Sequence, residues 1–193
     1  REYMVEQYGK AAYESGYRVY TTVDSNLQQS ANKAIVDGLI GYGERHGFKG
    51  ASGRIDPVLH HSTEKRILEL KKFPAVSNLQ PVMVLRPGGD AIDILTSTGI
   101  HKSLSADSWR WTNKSPSQLL HPGDVVYLFK TETGARLANI PKVQGALVSL
   151  SPSDGSILAL TGGFDFRQSR FNRVTQAQRQ PGSNIKPFIY SSA

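Results

Sequence analysis

Ser183 and Lys186 are the two residues of this sequence whose types and spacing best suit catalysis. They lie in residues 180–190, which read Gln-Pro-Gly-Ser-Asn-Ile-Lys-Pro-Phe-Ile-Tyr. On a helix, side chains three residues apart are neighbours, so the hydroxyl and the amine would share one face. Serine is a weak nucleophile at neutral pH, and a lysine whose charge is suppressed by burial can accept its proton. The pair is therefore a candidate nucleophile and general base.

The same Ser-X-X-Lys spacing occurs twice more in the sequence, at Ser30/Lys33 and at Ser62/Lys65. The first pair falls inside a predicted amphipathic helix, and Ser62 has the position of a helix N-cap. Only Ser183 is preceded by a proline–glycine pair, which suits a sharp turn into a helix. The neighbours of the motif, rather than its spacing, single out Ser183.

The composition indicates a soluble globular protein with enough length to bury a core. The 193 residues are 38% hydrophobic and 20% charged, with a formal net charge of +7. Such a basic balance suits acidic partners such as nucleic acid, an anionic membrane surface or an anionic polymer, although the basic residues are spread along the chain. The sequence has no signal peptide and no apolar run near the roughly 20 residues needed to span a bilayer.

Neither a metal nor a cofactor is expected. The absence of cysteine excludes disulfides and thiolate metal sites. The histidines are scattered, with a single adjacent pair, and no His, Asp or Glu spacing completes a metal site. The five histidines are His46, His60, His61, His101 and His121.

The N-terminal quarter predicts two helices separated by a strand. Residues 1–15 have helical spacing, and residues 17–23 alternate with β-branched and aromatic side chains, which predicts a strand. Asp24 or Ser25 caps a second helix over residues 25–42. The predicted apolar face of this helix consists of Leu27, Ala31, Ala34, Ile35, Leu39 and Tyr42. Three glycines are expected to end it: Gly41, Gly43 and Gly47.

The middle of the chain predicts a small β-barrel of the OB type. After a glycine-rich loop over residues 44–61, a short helix over residues 62–73 is stopped by Pro74. Apolar residues then recur at every second position, and residues 82–85 and 91–95 predict a hairpin. Further short strands are predicted at residues 99–104, 109–111, 124–130 and 135–140. About five short strands in about 60 residues suit an OB-type barrel.

A second hairpin, with strands at residues 145–150 and 156–161, has a different character. Its strands are apolar at nearly every position, which predicts central strands covered on both faces, with the helix over residues 25–42 as one cover. Gly162 and Gly163 follow the second strand, and an arginine-rich run over residues 164–179 then leads to Ser183.

Several segments resemble the class A penicillin-binding proteins, in the family's order and spacing. Residues 20–24 with 27–29 resemble the segment that leads into the transpeptidase domain, and residues 145–163 resemble its first core hairpin. Residues 171–173 and 179–188 match the family's approach to its acylated serine. The middle of the chain is similar to the OB-like insertion of Gram-negative members.

The resemblance implies an α+β, mostly β fold, in which an OB-like β-barrel insertion is flanked by the first helices and the core hairpin of a penicillin-binding transpeptidase domain. It divides the chain into three parts. Residues 1–45 are the linker and the N-terminal part of the transpeptidase domain, residues 46–142 the OB-like insertion, and residues 143–193 the start of the transpeptidase core.

The resemblance also implies the chemistry of a bifunctional peptidoglycan glycosyltransferase and D-Ala-D-Ala transpeptidase or carboxypeptidase. Ser183 would attack the D-Ala-D-Ala carbonyl of a stem peptide to form an acyl-enzyme, with Lys186 as general base. The backbone N–H of Ser183 would form half of the oxyanion hole. β-Lactams would acylate the same serine.

The expected location is the periplasmic face of the bacterial inner membrane, with the membrane anchor outside this sequence. By family analogy, an outer-membrane lipoprotein activator is an expected partner of the OB-like domain.

The sequence departs from the family's full pattern. The second and third motifs, Ser-X-Asn and Lys-Thr-Gly, do not follow Ser183; Ser30-Ala31-Asn32 lies upstream in a predicted helix, and Lys130-Thr131-Glu132 is not the third motif. The sequence also lacks an initiator methionine. We therefore expect a piece of a longer protein, and we expect it to be inactive alone.

An OB-fold module that binds single-stranded nucleic acid, without a catalytic role, is the alternative interpretation. The arginines and phenylalanines of residues 164–179 fit it in composition. However, they lie outside the barrel segment, so nucleic acid is not an expected partner. Trp109 and Trp111 are expected to pack in the core, with a binding surface as the alternative.

Overall fold

The structure is a computed structural model that describes residues 2–58, 62–131 and 134–192. It begins with two short helices, α1 (Glu2–Tyr8) and α2 (Ala11–Glu14), followed by the long helix α3 (Ser25–Arg45). The Asp24 carboxylate accepts hydrogen bonds from the backbone N–H groups of Asn26 and Leu27, both at 2.9 Å. Asp24 is therefore the N-cap of α3, which confirms one of the two predicted caps.

Helix α3 is longer than predicted, and its buried face only partly matches the predicted one. It continues through Gly41 and Gly43 to Arg45, because packing of the buried Ile40 outweighs the low helix propensity of glycine. Its fully buried residues are Ala31, Val36 and Ile40, whereas Leu27, Ala34 and Tyr42 of the predicted face are exposed. With 21 residues α3 is the longest described helix, and no helix in the described part of the chain is both long and apolar enough to cross a membrane.

The predicted strand over residues 17–23 is wrong. The segment has no regular secondary structure, and only its end bonds to the neighbouring sheet. The Thr22 hydroxyl donates to the carbonyl of Ile157 at 2.6 Å, and the Asp24 N–H donates to that of Leu158 at 2.9 Å. Tyr20 is 85% exposed. An alternating pattern suits a strand, but a strand forms only where a neighbouring strand accepts its backbone hydrogen bonds. The other N–H groups of residues 17–23 have no such neighbour among the described residues.

The middle of the chain forms an antiparallel six-stranded sheet. Its strands are β1 (Gly53–Arg54), β2 (Leu79–Pro87), β3 (Ile92–Thr96), β4 (His101–Leu104), β5 (Asp124–Thr131) and β6 (Gly134–Ala138). The order is β1-β5-β2-β3-β4. Strand β6 also pairs with β5: it takes the later residues of β5, from Tyr127 onward, whereas β1 takes Asp124 and Val125. The β2–β3 hairpin confirms the predicted one. Helix α4 (Thr63–Leu70) precedes β2 and is capped by the Ser62 hydroxyl, which accepts from the Lys65 N–H at 3.3 Å.

The prediction of a strand at residues 109–111 is also wrong, and the segment contacts the edge of β6 instead. Two 3-10 turns, Ala106–Ser108 and Arg110–Thr112, come after β4 in the chain and are followed by the short helix α5 (Pro116–Leu119). The Ser108 hydroxyl donates to the Ala135 carbonyl at 2.8 Å, and the indole N–H of Trp111 donates to the Leu137 carbonyl at 3.1 Å. Side chains therefore satisfy the carbonyl groups of β6 that face away from β5.

Strand β5 is buried on both faces and separates two apolar clusters. Val126 and Leu128 face the barrel interior, whereas Tyr127 and Phe129 face outward. The interior holds a cluster made of Val82, Val84, Ile92, Ile94, Leu104, Trp109, Leu120, Val126, Leu128 and Leu137. The outward side chains join a second cluster, called here the interface cluster, which consists of Val36, Ile40, Val76, Leu79, Tyr127, Phe129, Ala138 and Phe164. Because the interface cluster takes residues from α3, from the barrel and from residue 164, the barrel is packed onto the rest of the chain.

The second sheet is the hairpin of β7 (Leu147–Leu150) and β8 (Ile157–Thr161), as predicted. Helix α3 packs against β8, which confirms the predicted cover on one face. The expected cover on the second face is not found in the part of the chain that the structure describes: Val148 is 44% and Leu150 is 53% exposed.

Candidate active site

Ser183 lies on a 3-10 turn, Gly182–Ile185, that leads into the short helix α6 (Lys186–Ser191). Gly182 has a φ of 54°, in the left-handed region where glycine is favoured. The proline–glycine pair therefore turns the chain into a helix, as the sequence indicates. Ser183 is on this turn, and Lys186 is the first residue of α6.

The structure does not bury Ser183 or Lys186. Both side chains are exposed, and no hydrogen bond between them is among those of the described residues. The hydrogen bonds within residues 181–192 are local, such as the bond from the Ser191 hydroxyl to the Pro187 carbonyl at 2.7 Å. The burial that would suppress the charge of a general-base lysine is thus not supplied by the described part of the chain.

The apolar residues beside the motif are uncovered as well. Ile185 is 44% exposed, Phe188 71%, Ile189 53% and Tyr190 72%. A site for acyl transfer must exclude water so that its dipoles can stabilise developing charge. Here the candidate nucleophile and its neighbours face solvent.

The segment that leads to Ser183 is pinned to the end of β8 at Gly162. The Arg173 N–H donates to the Gly162 carbonyl at 3.1 Å. A Cβ atom on Gly162 would lie 2.3 Å from Asn172 Oδ1 and 2.8 Å from the Asn172 Cα. Only glycine permits this approach. The sequence marked the two glycines as the start of a polar run, but it did not reveal the close contact.

Gln28 anchors α3 to the open edge of β8, a role that the residue types alone did not predict. Its Oε1 accepts from the Leu160 N–H at 2.9 Å, and its Nε2 donates to the Leu160 carbonyl at 3.0 Å. The side-chain amide therefore pairs with Leu160 as a strand residue would. The Asn32 side chain extends this contact, because its Oδ1 accepts from Gln28 Nε2 at 2.9 Å and from the Thr161 hydroxyl.

A second anchor is Asp165, whose side chain is only 6% exposed. Its carboxylate accepts hydrogen bonds from the backbone N–H of Ser77, before β2, and from the backbone and guanidinium of Arg167. Burial alone would raise the pKa of Asp165, but the bonds from Arg167 and Ser77 outweigh it and lower the pKa below the usual value. Nothing in the sequence marked this residue.

A cleft of about 420 Å³ opens beside Asp165, between α3, the turn at Ser77, the end of β8 and residues 162–172. Asn32, Val36 and Arg170 are among its lining residues, and Ser183 and Lys186 are not. The cleft is therefore not a pocket for the candidate nucleophile.

The described histidines do not form a metal site. His46 stacks on Tyr42 at 4.1 Å between ring centroids, and His121 lies 3.8 Å from Asp124. Within residues 2–58, 62–131 and 134–192, no group of three or more His, Asp or Glu is placed to hold a metal ion. His60 and His61 lie outside the described residues.

Two of the arginines behind the nucleic-acid alternative, Arg167 and Arg173, have structural roles, whereas Phe166 and Phe171 of the same run are 71% and 47% exposed. Arg167 pairs with Asp165, and Arg173 donates to the carbonyls of Gly162 and Phe171. Trp109 is 5% exposed inside the barrel. The exposed large apolar residues described within residues 48–143 are Val58, Leu68, Ile100 and Val143, none of which is aromatic. The barrel thus presents no described stacking platform for bases.

Comparisons with known proteins match both the barrel and the whole chain. The family model for the penicillin-binding protein OB-like domain matches residues 48–143. The penicillin-binding protein 1A of Pseudomonas aeruginosa is 38% identical over 211 residues, covering 100% of this chain and 25% of that protein. The penicillin-binding protein 1A of Escherichia coli is 35% identical over 207 residues, and the match covers 100% of this chain and 24% of that protein.

A solved structure agrees with these matches. The crystal structure of penicillin-binding protein 1A from Haemophilus influenzae superposes with a TM-score of 0.89 at 37% identity, covering 100% of this chain and 29% of that one. The chain thus spans about a quarter of the length of the curated relatives it matches. From the barrel match and the agreement along its whole length, the chain belongs to the class A penicillin-binding proteins and includes their OB-like domain.

Proposed function

We propose that this chain is part of a peptidoglycan synthase that cross-links stem peptides by D,D-transpeptidation. The observation that carries the proposal is the similarity along the whole chain to proteins named penicillin-binding protein 1A, together with a serine and a lysine spaced Ser-X-X-Lys where a described turn leads into a helix.

In the proposed reaction, Ser183 Oγ attacks the carbonyl of the penultimate D-Ala, and Lys186 accepts the proton of the hydroxyl. The amide bond to the terminal D-Ala breaks, its nitrogen takes the proton that Lys186 accepted, and an ester joins Ser183 to the stem peptide. The backbone N–H of Ser183 stabilises the oxyanion. An amine of a second stem peptide then takes the acyl group, which gives a cross-link, whereas water gives carboxypeptidase activity. A β-lactam acylates the same oxygen.

The chain by itself is proposed to be inactive, because Ser183 and Lys186 are exposed to solvent. A chimera tests the assignment. Residues 1–193 replace the matching region of Haemophilus influenzae penicillin-binding protein 1A, and fluorescent penicillin is added. We expect labelling of the chimera, none after Ser183→Ala, and none of the 193-residue chain.

The matched control for this experiment is Ser30→Ala, which removes the serine of another Ser-X-X-Lys pair. The Ser30 hydroxyl donates to the Asn26 carbonyl at 2.9 Å within α3. The Ser30→Ala chimera should be labelled normally. Labelling that survives Ser183→Ala would contradict the nucleophile assignment.

We further propose the division of the chain at residues 45 and 142, as the resemblance implies, and a glycosyltransferase domain and membrane anchor elsewhere in the parent protein. The parent protein would act at the periplasmic face of the inner membrane. Fractionation of cells that express a tagged chimera checks the location: the chimera should sediment with inner membranes and be accessible to protease from the periplasm.

The OB-like region is proposed to dock a protein partner, an outer-membrane lipoprotein activator, because a compact insertion need not contribute catalytic residues. Deleting the region is an unsuitable test, since Tyr127 and Phe129 pack against α3. Direct binding of a purified activator to the 193-residue chain is the better measurement, with a chain denatured in urea as control. Absence of binding at micromolar concentrations would refute the proposal.

A further inference from the structure

Asp165 and Phe164 connect the OB-like domain to the segment that leads to Ser183. Phe164 is 4% exposed and lies in the interface cluster beside Leu79 and Tyr127 of the barrel. The next residue, Asp165, accepts the N–H of Ser77 on the barrel side. The two adjacent residues therefore fix one point of the chain to the barrel by an apolar and a polar contact.

The turn at Ser77, whose N–H donates to Asp165, has a backbone conformation that serine disfavours. Ser77 has a φ of 51°, in the left-handed region where a Cβ atom is unfavourable. The turn is closed by bonds in both directions between Val76 and Leu79, at 3.1 and 2.8 Å. Such a conformation persists where the surroundings determine it, and here the Asp165 carboxylate holds the Ser77 N–H.

The same segment is fixed at its other end to β8. The Arg173 N–H bonds to the Gly162 carbonyl, and the Gln176 N–H bonds to the Asn172 carbonyl at 2.8 Å. Residues 162–173 thus form a loop that contacts the barrel at Phe164 and Asp165 and the second sheet at Gly162. Ser183 lies ten residues after the end of this loop.

We propose that Asp165 is a positioning residue that couples the OB-like domain to the loop leading to Ser183. The turn at Ser77 and the loop at residues 162–173 then open and close together, so the barrel sets the position of the serine-bearing segment. A purely local role is the competing explanation, because Asp165 also accepts from Arg167 N at 2.7 Å and its carbonyl accepts from Gln168 and Ser169 at 3.1 Å.

Hydrogen exchange of single amides in the 193-residue chain separates the two explanations. The Asp165→Asn substitution keeps the shape and removes the charge. We expect the amides of Leu79 and Arg173, on the two sides of the loop contact, to exchange about tenfold faster, as on loss of one charged hydrogen bond. A change confined to Ser77, Gln168 and Ser169 would overturn the proposal.

Two variants serve as controls. Asp154→Asn alters another turn carboxylate next to β8, which accepts from the backbone N–H and the hydroxyl of Ser156, at 3.1 and 2.9 Å, and also bonds with the Ser151 side chain. It should leave Leu79 and Arg173 unchanged. Ser77→Gly keeps the N–H donor and removes the unfavourable Cβ, so Arg173 should exchange no faster than in the original chain. Faster exchange of Arg173 in either variant would contradict a specific role of Asp165.

The unaltered chain provides a measurement that remains valid if Asp165→Asn fails to fold. In a series of urea concentrations below the unfolding transition, amides that open together share one urea dependence. The amides of Ser77 and Arg173 should share it. Two separate dependences would overturn the coupling. Neither measurement requires acylation of Ser183, so the inference fails or holds independently of the proposed transpeptidation.

Discussion

The OB-like region and the segment that carries Ser183 use their apolar side chains in opposite ways. In the barrel, β5 buries Val126 and Leu128 on one face and Tyr127 and Phe129 on the other. In α6, Phe188 and Tyr190 are more than two-thirds exposed, at 71% and 72%. The difference shows that apolar residues stabilise a fold only where tertiary partners cover them.

The largest expected effect contrasts one phenylalanine from each region. Phe129→Ala should destabilise the chain by about 3–5 kcal/mol, because it leaves a cavity in the interface cluster. Phe188→Ala should change the free energy of unfolding by less than about 0.5 kcal/mol, because the ring is mostly in solvent. Urea unfolding followed by circular dichroism measures both. Equal effects would break the comparison.

Two glycine substitutions test the close contact between Gly162 and Asn172, in the loop that precedes Ser183. Gly162→Ala should cost about 1–3 kcal/mol, since its Cβ would meet the Asn172 backbone. Gly38→Ala, in α3 with nothing within 4 Å of the new Cβ, should stabilise the chain by about 0.5–1 kcal/mol. Thermal unfolding of the two variants should therefore shift in opposite directions, and a shift in the same direction would contradict the contact.

The pKa of Asp165 predicts how the contact between the two regions responds to acid. Because the folded-state pKa is lowered, the stabilisation is complete above the ordinary aspartate pKa of about 3.9 and is lost as pH falls through the folded value. The charged group that faces Asp165 is Arg167. The difference in urea-unfolding free energy between the original chain and Asp165→Asn should be constant from pH 7 to 5 and shrink below pH 4. A difference that grows in acid would have the wrong sign.

The smallest effect is expected at the candidate nucleophile itself. Ser183→Ala should leave the free energy of unfolding within about 0.5 kcal/mol of the original value, because the side chain is exposed. Calorimetry of the chain checks this. A large loss of stability would mean that Ser183 has packing partners, and it would remove the substitution's value as a probe of acylation.

Local chemistry in the sequence predicted the helix starts and the hairpins. Asp24 and Ser62 cap their helices because a carboxylate or a hydroxyl satisfies nearby N–H groups whatever the rest of the chain does. The β2–β3 hairpin follows from apolar residues at every second position with a turn between the strands, and the β7–β8 hairpin from two apolar runs that flank a turn. The number of short strands between these elements predicted an OB-type barrel, which the resemblance to the penicillin-binding proteins also implied, and the family match supports it.

Elements that depend on a distant partner were not predictable in this way. The alternation of residues 17–23 did not reveal that only Thr22 and Asp24 reach β8. The Trp109 region formed 3-10 turns because its rings fill the barrel and the gap beside β6. Val36 and Ile40 of α3 are buried because they pack against the outward residues of β5. The spacing of apolar residues within α3 carries no information about that distant strand.

The sequence by itself determined which serine is the candidate nucleophile, because the proline–glycine pair before Ser183 distinguishes it from Ser30 and Ser62. Only the tertiary structure decided how the chain reaches that serine. Gln28, Gly162 and Asp165 act on residues about 130, 10 and 88 positions away, respectively. Contacts over such separations depend on how whole elements pack, and this packing fixes to the barrel a loop that ends ten residues before an exposed Ser183.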